Sequence, residues 1–288
     1  MESLSTSKYI TLRPKSEFLH DYIAYYYIDQ ESKHGAVKEF IYYPHYKNAL
    51  TIYLNSKVEM DKYSSISKPS KKTHIETIYL GAETNARYVK IIAPYNKIGI
   101  VFQPLGINYF LSSKKKIQDL VSIEKNGSFE EFSPSLSARA QEIFKCNSDA
   151  EKVTMLDDFF LNSFNGFAEE RLIESIQLLM GNINLSTNEL SAHLNTNRKT
   201  VYRLFKRHLN RSFEEYKSIV KFRNVISSYQ NEKDRVKLTH LAYANSYYDQ
   251  SDFINSIKKI TGSNPKKFFS GLSNVGSEDT FWTLLNQV

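Results

Sequence analysis

The chain has 288 residues, 41% of them hydrophobic, with 38 Lys/Arg against 31 Asp/Glu and a net charge of +7. That length accommodates two domains with separate cores, and that apolar share excludes a mainly disordered chain. No apolar run approaches the ~20 residues a bilayer span requires, and a single cysteine, Cys146, excludes an internal disulfide and a cysteine-based zinc site.

Residues 1–8 are polar and lack the apolar core of a signal peptide, so a cytoplasmic location is expected. From there to about residue 110 the chain reads as β-rich. Short runs of β-branched and aromatic residues at 23–28, 49–54, 77–80, 88–92 and 98–102 are separated by turn residues. Residues 57–73 are polar, contain Pro69, and read as a loop. Residues 104–111 follow a proline and read as a helix start, and helical spacing returns at 133–144 and 150–161. Residues 162–166 suit a linker, the pattern from 168 to 267 is helical throughout, and 273–279 reads as a loose tail. Residues 281–285 have apolar side chains that suit packing back on the protein.

The charge is unevenly spread. Residues 169–267 hold 17 Lys/Arg and 10 Asp/Glu, a net +7, so the rest holds 21 of each and is neutral. Between Leu190 and Phe213 there is no acid, but there are Arg198, Lys199, Arg203, Lys206, Arg207 and Arg211. A basic stretch of that kind suits a phosphate-binding surface.

Two helix-turn-helix patterns fill this segment, at 185–206 and 238–258, as a weak repeat of about fifty residues. The spacing predicts a first reading helix over about 197–208, capped by Asn197 or Thr196. Val201, Leu204, Phe205 and His208 share its core face, and Lys199, Tyr202, Arg203 and Lys206 share the other. A second reading helix is predicted over about 249–260, capped by Asp249, with Phe253, Ile257 and Ile260 inward. Gln250, Ser251, Ile254, Asn255 and Lys258 remain for DNA, with Ile254 equally suited to the core edge. Lys and Arg suit guanine O6/N7, Gln and Asn suit adenine, and an apolar side chain meets the thymine methyl. Between the two units, 213–230 has no Gly or Pro and makes a rod of ~27 Å, close to the ~34 Å of one DNA turn.

These motifs resemble the DNA-binding domain of the AraC/XylS family of bacterial transcription regulators. The resemblance rests on Leu190, Val201-Tyr-Arg-Leu-Phe-Lys206, Phe213-Glu-Glu-Tyr216, Phe222-Arg223, Leu241-Ala242, Tyr248-Asp-Gln-Ser-Asp-Phe253 and Lys258-Lys-Ile-Thr-Gly-Ser-Asn-Pro265. It implies base-facing roles for Lys199, Tyr202, Arg203, Gln250, Ser251, Ile254 and Asn255, with Arg198, Lys206 and Lys258 added as DNA contacts. Asn210 and Ser246 stand where the family has glycines, Asn255 where it has arginine, and Ile257 where it has an aromatic residue. The N-terminal half resembles more loosely the sensing domains of such regulators, through Phe40-Ile-Tyr-Tyr-Pro44, the strand at 50–54 and residues 98–111.

The resulting expectation is an α+β chain in three parts. Residues 1–165 form a β-rich barrel or jelly roll with flanking helices, for effector sensing or dimerisation. Residues 166–275 form the all-α DNA-binding domain, and 276–288 a tail. The implied partners are double-stranded promoter DNA, RNA polymerase, a small-molecule effector and a second copy of the chain, with activation the commoner role. Tyr25, Tyr27, Tyr42, Tyr53 and Phe102 are the candidate effector pocket, and the helix at 153–161 the candidate dimer surface. No cofactor, metal or enzymatic activity is expected. The alternatives from other classes are a cupin-like metal enzyme and a nucleoid-type binder without sequence preference. The first needs clustered metal ligands, and His20, His34, His45 and His74 are scattered.

Overall fold

The computed structural model of the protein describes residues 7–111, 117, 134–232 and 237–285. Strands β1 (Lys8–Leu12), β2 (Ile23–Glu31), β3 (Val37–Tyr42), β4 (Asn48–Leu54), β5 (Ser56–Met60), β6 (Ser64–Pro69), β7 (Ile75–Leu80), β8 (Arg87–Ile92) and β9 (Tyr95–Phe102) come first. Helices α1 (Pro134–Lys145) and α2 (Asp149–Asn162) follow. Then come α3 (Glu170–Gly181), α4 (Thr187–His193), α5 (Arg198–Leu209), α6 (Phe213–Asn231), α7 (Leu238–Ala244), α8 (Gln250–Thr261) and α9 (Pro265–Ser270). Two short strands close the described chain, β10 (Ser273–Asn274) and β11 (Phe281–Leu284).

The strands form two sheets. One has the order β1-β2-β9-β4-β7, and the other β10-β11-β3-β8-β6-β5. All pairings are antiparallel except β6 with β8. Period-two alternation divides the first sheet between two environments. Tyr26, Ile28, Leu50, Ile52, Ile98, Ile100 and Phe102 pack with Leu136, Ile143, Val153, Leu156 and Phe160 of α1 and α2. Tyr25, Tyr27, Thr51, Tyr53, Lys97 and Val101 point the other way, into a cavity shared with Phe40, Tyr42, Arg87 and Val89 of the second sheet. Gly99 is required there, because a Cβ at that position would lie 1.8 Å from the Tyr27 ring.

Several sequence expectations are corrected. Residues 57–73 are not a loop but mostly the hairpin β5–β6, in which Val58, Ser65 and Ser67 are buried between exposed or half-buried neighbours. Short alternating strands rich in Ser and Lys carry little apolar signal, which hides them. The turn after Pro104 is a short 3₁₀ segment, Gly106–Phe110, rather than an α-helix. The apolar face of α2 is buried against the first sheet and α1, with Leu161 its exposed large apolar side chain. Residues 273–279 are not a loose tail, since Ser273–Asn274 pair with β11 as β10, whereas 281–285 pack back on the protein as expected, β11 lying along β3.

The helical half has two cores threaded by one helix. The first half of α6 gives Phe213, Tyr216, Ile219 and Val220 to the core of the first helix-turn-helix unit. Its second half gives Phe222, Val225 and Ile226 to the core of the second. Capping boxes at Ser186/Glu189 and Ser212/Glu215 fix the starts of α4 and α6. Each core also takes in side chains of the β-domain, Ala82, Leu105 and Tyr46 on one side and Tyr43 on the other.

Candidate nucleic-acid interface

In the first unit, α4 packs across α5. Asn197 caps α5 as the sequence expects, its Oδ1 accepting from the Thr200 amide at 2.9 Å. Val201, Phe205 and His208 are buried and Leu204 is half-buried, so the inward face is the expected one. Arg198, Lys199, Tyr202 and Arg203 are exposed, Tyr202 by 51%. Lys206 is half-buried and reaches back to the Asn210 carbonyl at 3.4 Å. Arg211 leaves the basic surface: its guanidinium donates to the Ala82 carbonyl at 2.5 Å and faces Glu83 at 3.5 Å.

Asn210 ends α5 with φ 55, ψ 26. A side-chain amide tolerates the left-handed region better than most residues, so the turn forms without glycine. Ser246 takes the same region with φ 61.

In the second unit, Asp249 caps α8 by accepting from the Asp252 amide at 2.8 Å. Phe253, Ile257 and Ile260 are buried. Gln250, Ser251, Asn255 and Lys258 are exposed. The Thr239 hydroxyl donates to the Gln250 carbonyl oxygen at 3.1 Å, which positions that amide. Ile254 is half-buried against the core of the unit. Tyr243 and Tyr248, exposed by 63% and 88%, stand beside this face and were not singled out from sequence. Their exposure depends on the turn between α7 and α8.

Two polar faces, each backed by its own core and joined by a continuous helix of 19 residues, form the arrangement of a double helix-turn-helix reader. Residues 190–271 match the family model described as a helix-turn-helix domain. The chain carries an AraC-type helix-turn-helix domain. No curated protein matches the chain. Among solved structures, ToxT from Vibrio cholerae is similar at 14% identity and a TM-score of 0.43, over 85% of this chain and 98% of that one. ToxT from the O395 strain bound to (E)-4-(8-methylnaphthalen-1-yl)but-3-enoic acid shares 15% identity, with a TM-score of 0.43 over 85% and 98% of the two chains. ToxT from strain SCE256 bound to unsaturated fatty acid shares 14%, with a TM-score of 0.42 over 88% and 98%.

Beside the AraC-type domain lies the cavity between the two sheets. Tyr25, Tyr27, Tyr42 and Tyr53 line it; Phe102 does not. Phe102 follows Val101 on β9, so alternation turns it to the helix side, where its ring packs edge-on to Phe160 at 5.7 Å. The remaining space is small, about 80 Å³. Burial holds all four phenols above their ordinary range, Tyr27 at about 12, so they are neutral hydroxyls at physiological pH.

The charged lining, Lys47, Arg87, Lys97, Arg223 and Asp279, escapes sequence reasoning, as does Asp29, which holds Lys97 from outside the lining. Asp29 bridges Lys97 and Lys38, each at 3.1 Å. Burial alone pushes Lys97 down and Asp29 up, but their mutual attraction prevails and both are charged. Asp29 lies two residues beyond Tyr27 and Lys97 two before Gly99, so both share the inward parity of their strands. Arg223, midway along α6, is buried and reaches the cavity from the DNA-binding side.

Among the described residues, no group of three or more His, Cys, Asp or Glu is placed to hold a metal ion, and no helix is long and apolar enough to cross a membrane.

Proposed function

We propose that this chain is a sequence-specific transcription regulator, an activator in its commoner mode, whose α5 and α8 read two adjacent major-groove segments of promoter DNA. The observation that carries this reading is the pair of exposed polar faces fixed at the two ends of one unbroken helix. On α5, Lys199 and Arg203 suit guanine, while Arg198, Tyr202 and Lys206 suit phosphate or base edges. On α8, Gln250 and Asn255 suit adenine, Ile254 meets a thymine methyl, and Ser251 and Lys258 complete the contact. The β-domain is proposed to bind a small-molecule effector in the tyrosine-lined cavity. Its contacts with both helix-turn-helix cores are the physical route by which occupancy biases the readers. Contact with RNA polymerase, a homodimeric state, a cytoplasmic location and the absence of catalysis belong to the same proposal.

Selection of bound DNA from a random pool by the full-length protein tests it, with a salt titration of the winners. Two short blocks about one helical turn apart are expected. Linear salt dependence without enrichment of any sequence would instead make the protein a non-specific binder.

A further inference from the structure

After α9 the chain does not leave the molecule. It turns through Gly276, crosses to the β-domain and ends as β11 on the edge of β3, with Trp282 opposite Tyr42, Thr283 opposite Ile41 and Leu284 opposite Phe40. On the way it enters the cavity. The Thr280 hydroxyl is 2.7 Å from the Tyr25 hydroxyl. The Trp282 indole stacks on Phe40 at 4.0 Å between ring centres. Residues Asp279 to Trp282 are part of the cavity wall, and little space remains beside them.

Asp279 is the centre of this arrangement. Its Oδ2 accepts from Lys47 Nζ at 2.9 Å and from His45 Nε2 at 3.0 Å. His45 Nδ1 accepts from the Lys47 amide at 3.0 Å, so the ring proton is on Nε2. Burial pulls the His45 imidazole down to about 3, which makes the contact a hydrogen bond from a neutral ring rather than an ion pair. The Arg223 guanidinium donates to the Asp279 main-chain carbonyl. Burial pushes the Asp279 carboxyl up, but the His45 and Lys47 interactions outweigh it and hold it ionised. The other carboxylate oxygen, Oδ1, is buried without a hydrogen-bond partner.

Half-buried Lys47 thus pairs with the Asp279 carboxylate and buried Arg223 donates to the main-chain carbonyl of the same residue, so two cations are held by one residue of the tail. Withdrawing that residue would take the carboxylate from Lys47 and the carbonyl acceptor from buried Arg223, at a cost above that of an ordinary polar contact. The tail therefore leaves only when another anion takes its place. Because Arg223 belongs to α6, the same exchange acts on the helix that joins the two readers.

We propose that the C-terminal strap 276–285 is an internal ligand of the β-domain cavity, and that an organic carboxylate with a compact apolar body displaces it, taking the places of Asp279 and of the Phe281 and Trp282 rings. This rests on the reading of the β-domain as the effector-binding part. The exchange converts ligand binding into release of a strap that ties the DNA-binding domain to its regulator.

Trp282 is the only tryptophan in the chain, so its fluorescence reports the strap directly and independently of DNA. The experiment follows acrylamide quenching of Trp282 in the full-length protein while sodium cyclohexanecarboxylate is added, with cyclohexanol and sodium chloride as controls. Quenching is expected to rise several-fold with the carboxylate and to stay unchanged with either control. Arg223→Gln is expected to weaken the response. The double variant Ile41→Cys/Thr283→Cys, made with Cys146→Ser, joins the strap to β3 across a directly opposed pair. Oxidised, it is expected to be unresponsive; reduced, it is expected to respond like the wild type. Trp282 equally protected at every carboxylate concentration, or an equal response when the strap is cross-linked, overturns the proposal. A strap that responds in a protein that selects no DNA sequence would leave this inference standing and remove the reader.

Discussion

The two helix-turn-helix units share a plan and differ in chemistry. The reading face of α5 carries Arg198, Lys199, Arg203 and Lys206 with no acid, whereas α8 begins with Asp249 and Asp252 and presents Gln250, Ser251 and Asn255. On the proposed reading, the first unit attracts phosphate at long range and supplies most of the salt-dependent affinity. On the same reading the second, with Lys258 set against Asp249 and Asp252, adds mainly short-range hydrogen bonds, so its proposed contribution is discrimination. The backbone shows the same asymmetry: Asn210 takes the left-handed position in the first unit, Ser246 in the second.

The largest expected effects come from the cores. Phe205→Ala and Phe253→Ala remove fully buried rings, each at a cost of about 3–5 kcal/mol. Thermal melts and footprinting check this. Loss of protection confined to the block read by the damaged unit is expected, with Phe205→Ala weakening overall affinity more.

Next come the readers. Arg203→Ala is expected to cost about 1–3 kcal/mol and to relax preference at one base position, as is Asn255→Ala at an adenine. Titrations at several salt concentrations separate them: only Arg203→Ala should flatten the salt slope. Equal weakening of all sequences by Arg203→Ala would make it a phosphate contact.

Caps follow. Asn197→Ala and Asp249→Ala each remove a side-chain acceptor at a helix start and should cost about 0.5–2 kcal/mol in unfolding experiments. Asp249→Asn keeps the acceptor and removes a charge, so DNA affinity should rise while stability is retained. The smallest effect is at the turns. Ser246→Gly should stabilise by about 1 kcal/mol or less, and Asn210→Gly by less still, because the strain of the left-handed region differs between the two residues.

The helical half was legible in the sequence because its signals are local. Period 3.6, the cap residues Asn197 and Asp249, and an acid-free basic run all lie within a few residues of the structure they specify. The positions of β2, β4, β7, β8 and β9 were legible for the same reason. The hairpin of β5 and β6 was not, because its inward residues are largely serines. The cavity was half legible: four of its tyrosines were identified, but not its charges. Asp29 pairs with Lys97 across adjacent strands, and Arg223 with Asp279 across two domains, and neither pairing exists until the topology is fixed. The one local sign was an arginine set among the apolar positions of α6.

The central claim is that one chain holds two reading helices at a fixed separation. Binding to a selected site carrying five or ten extra base pairs between its two blocks tests this most directly. A rod of 19 residues, ~28 Å long, cannot follow either change, so affinity should fall to that of a single block with both insertions. Full affinity at five, or recovery at ten as the blocks return to one face of the duplex, would contradict it.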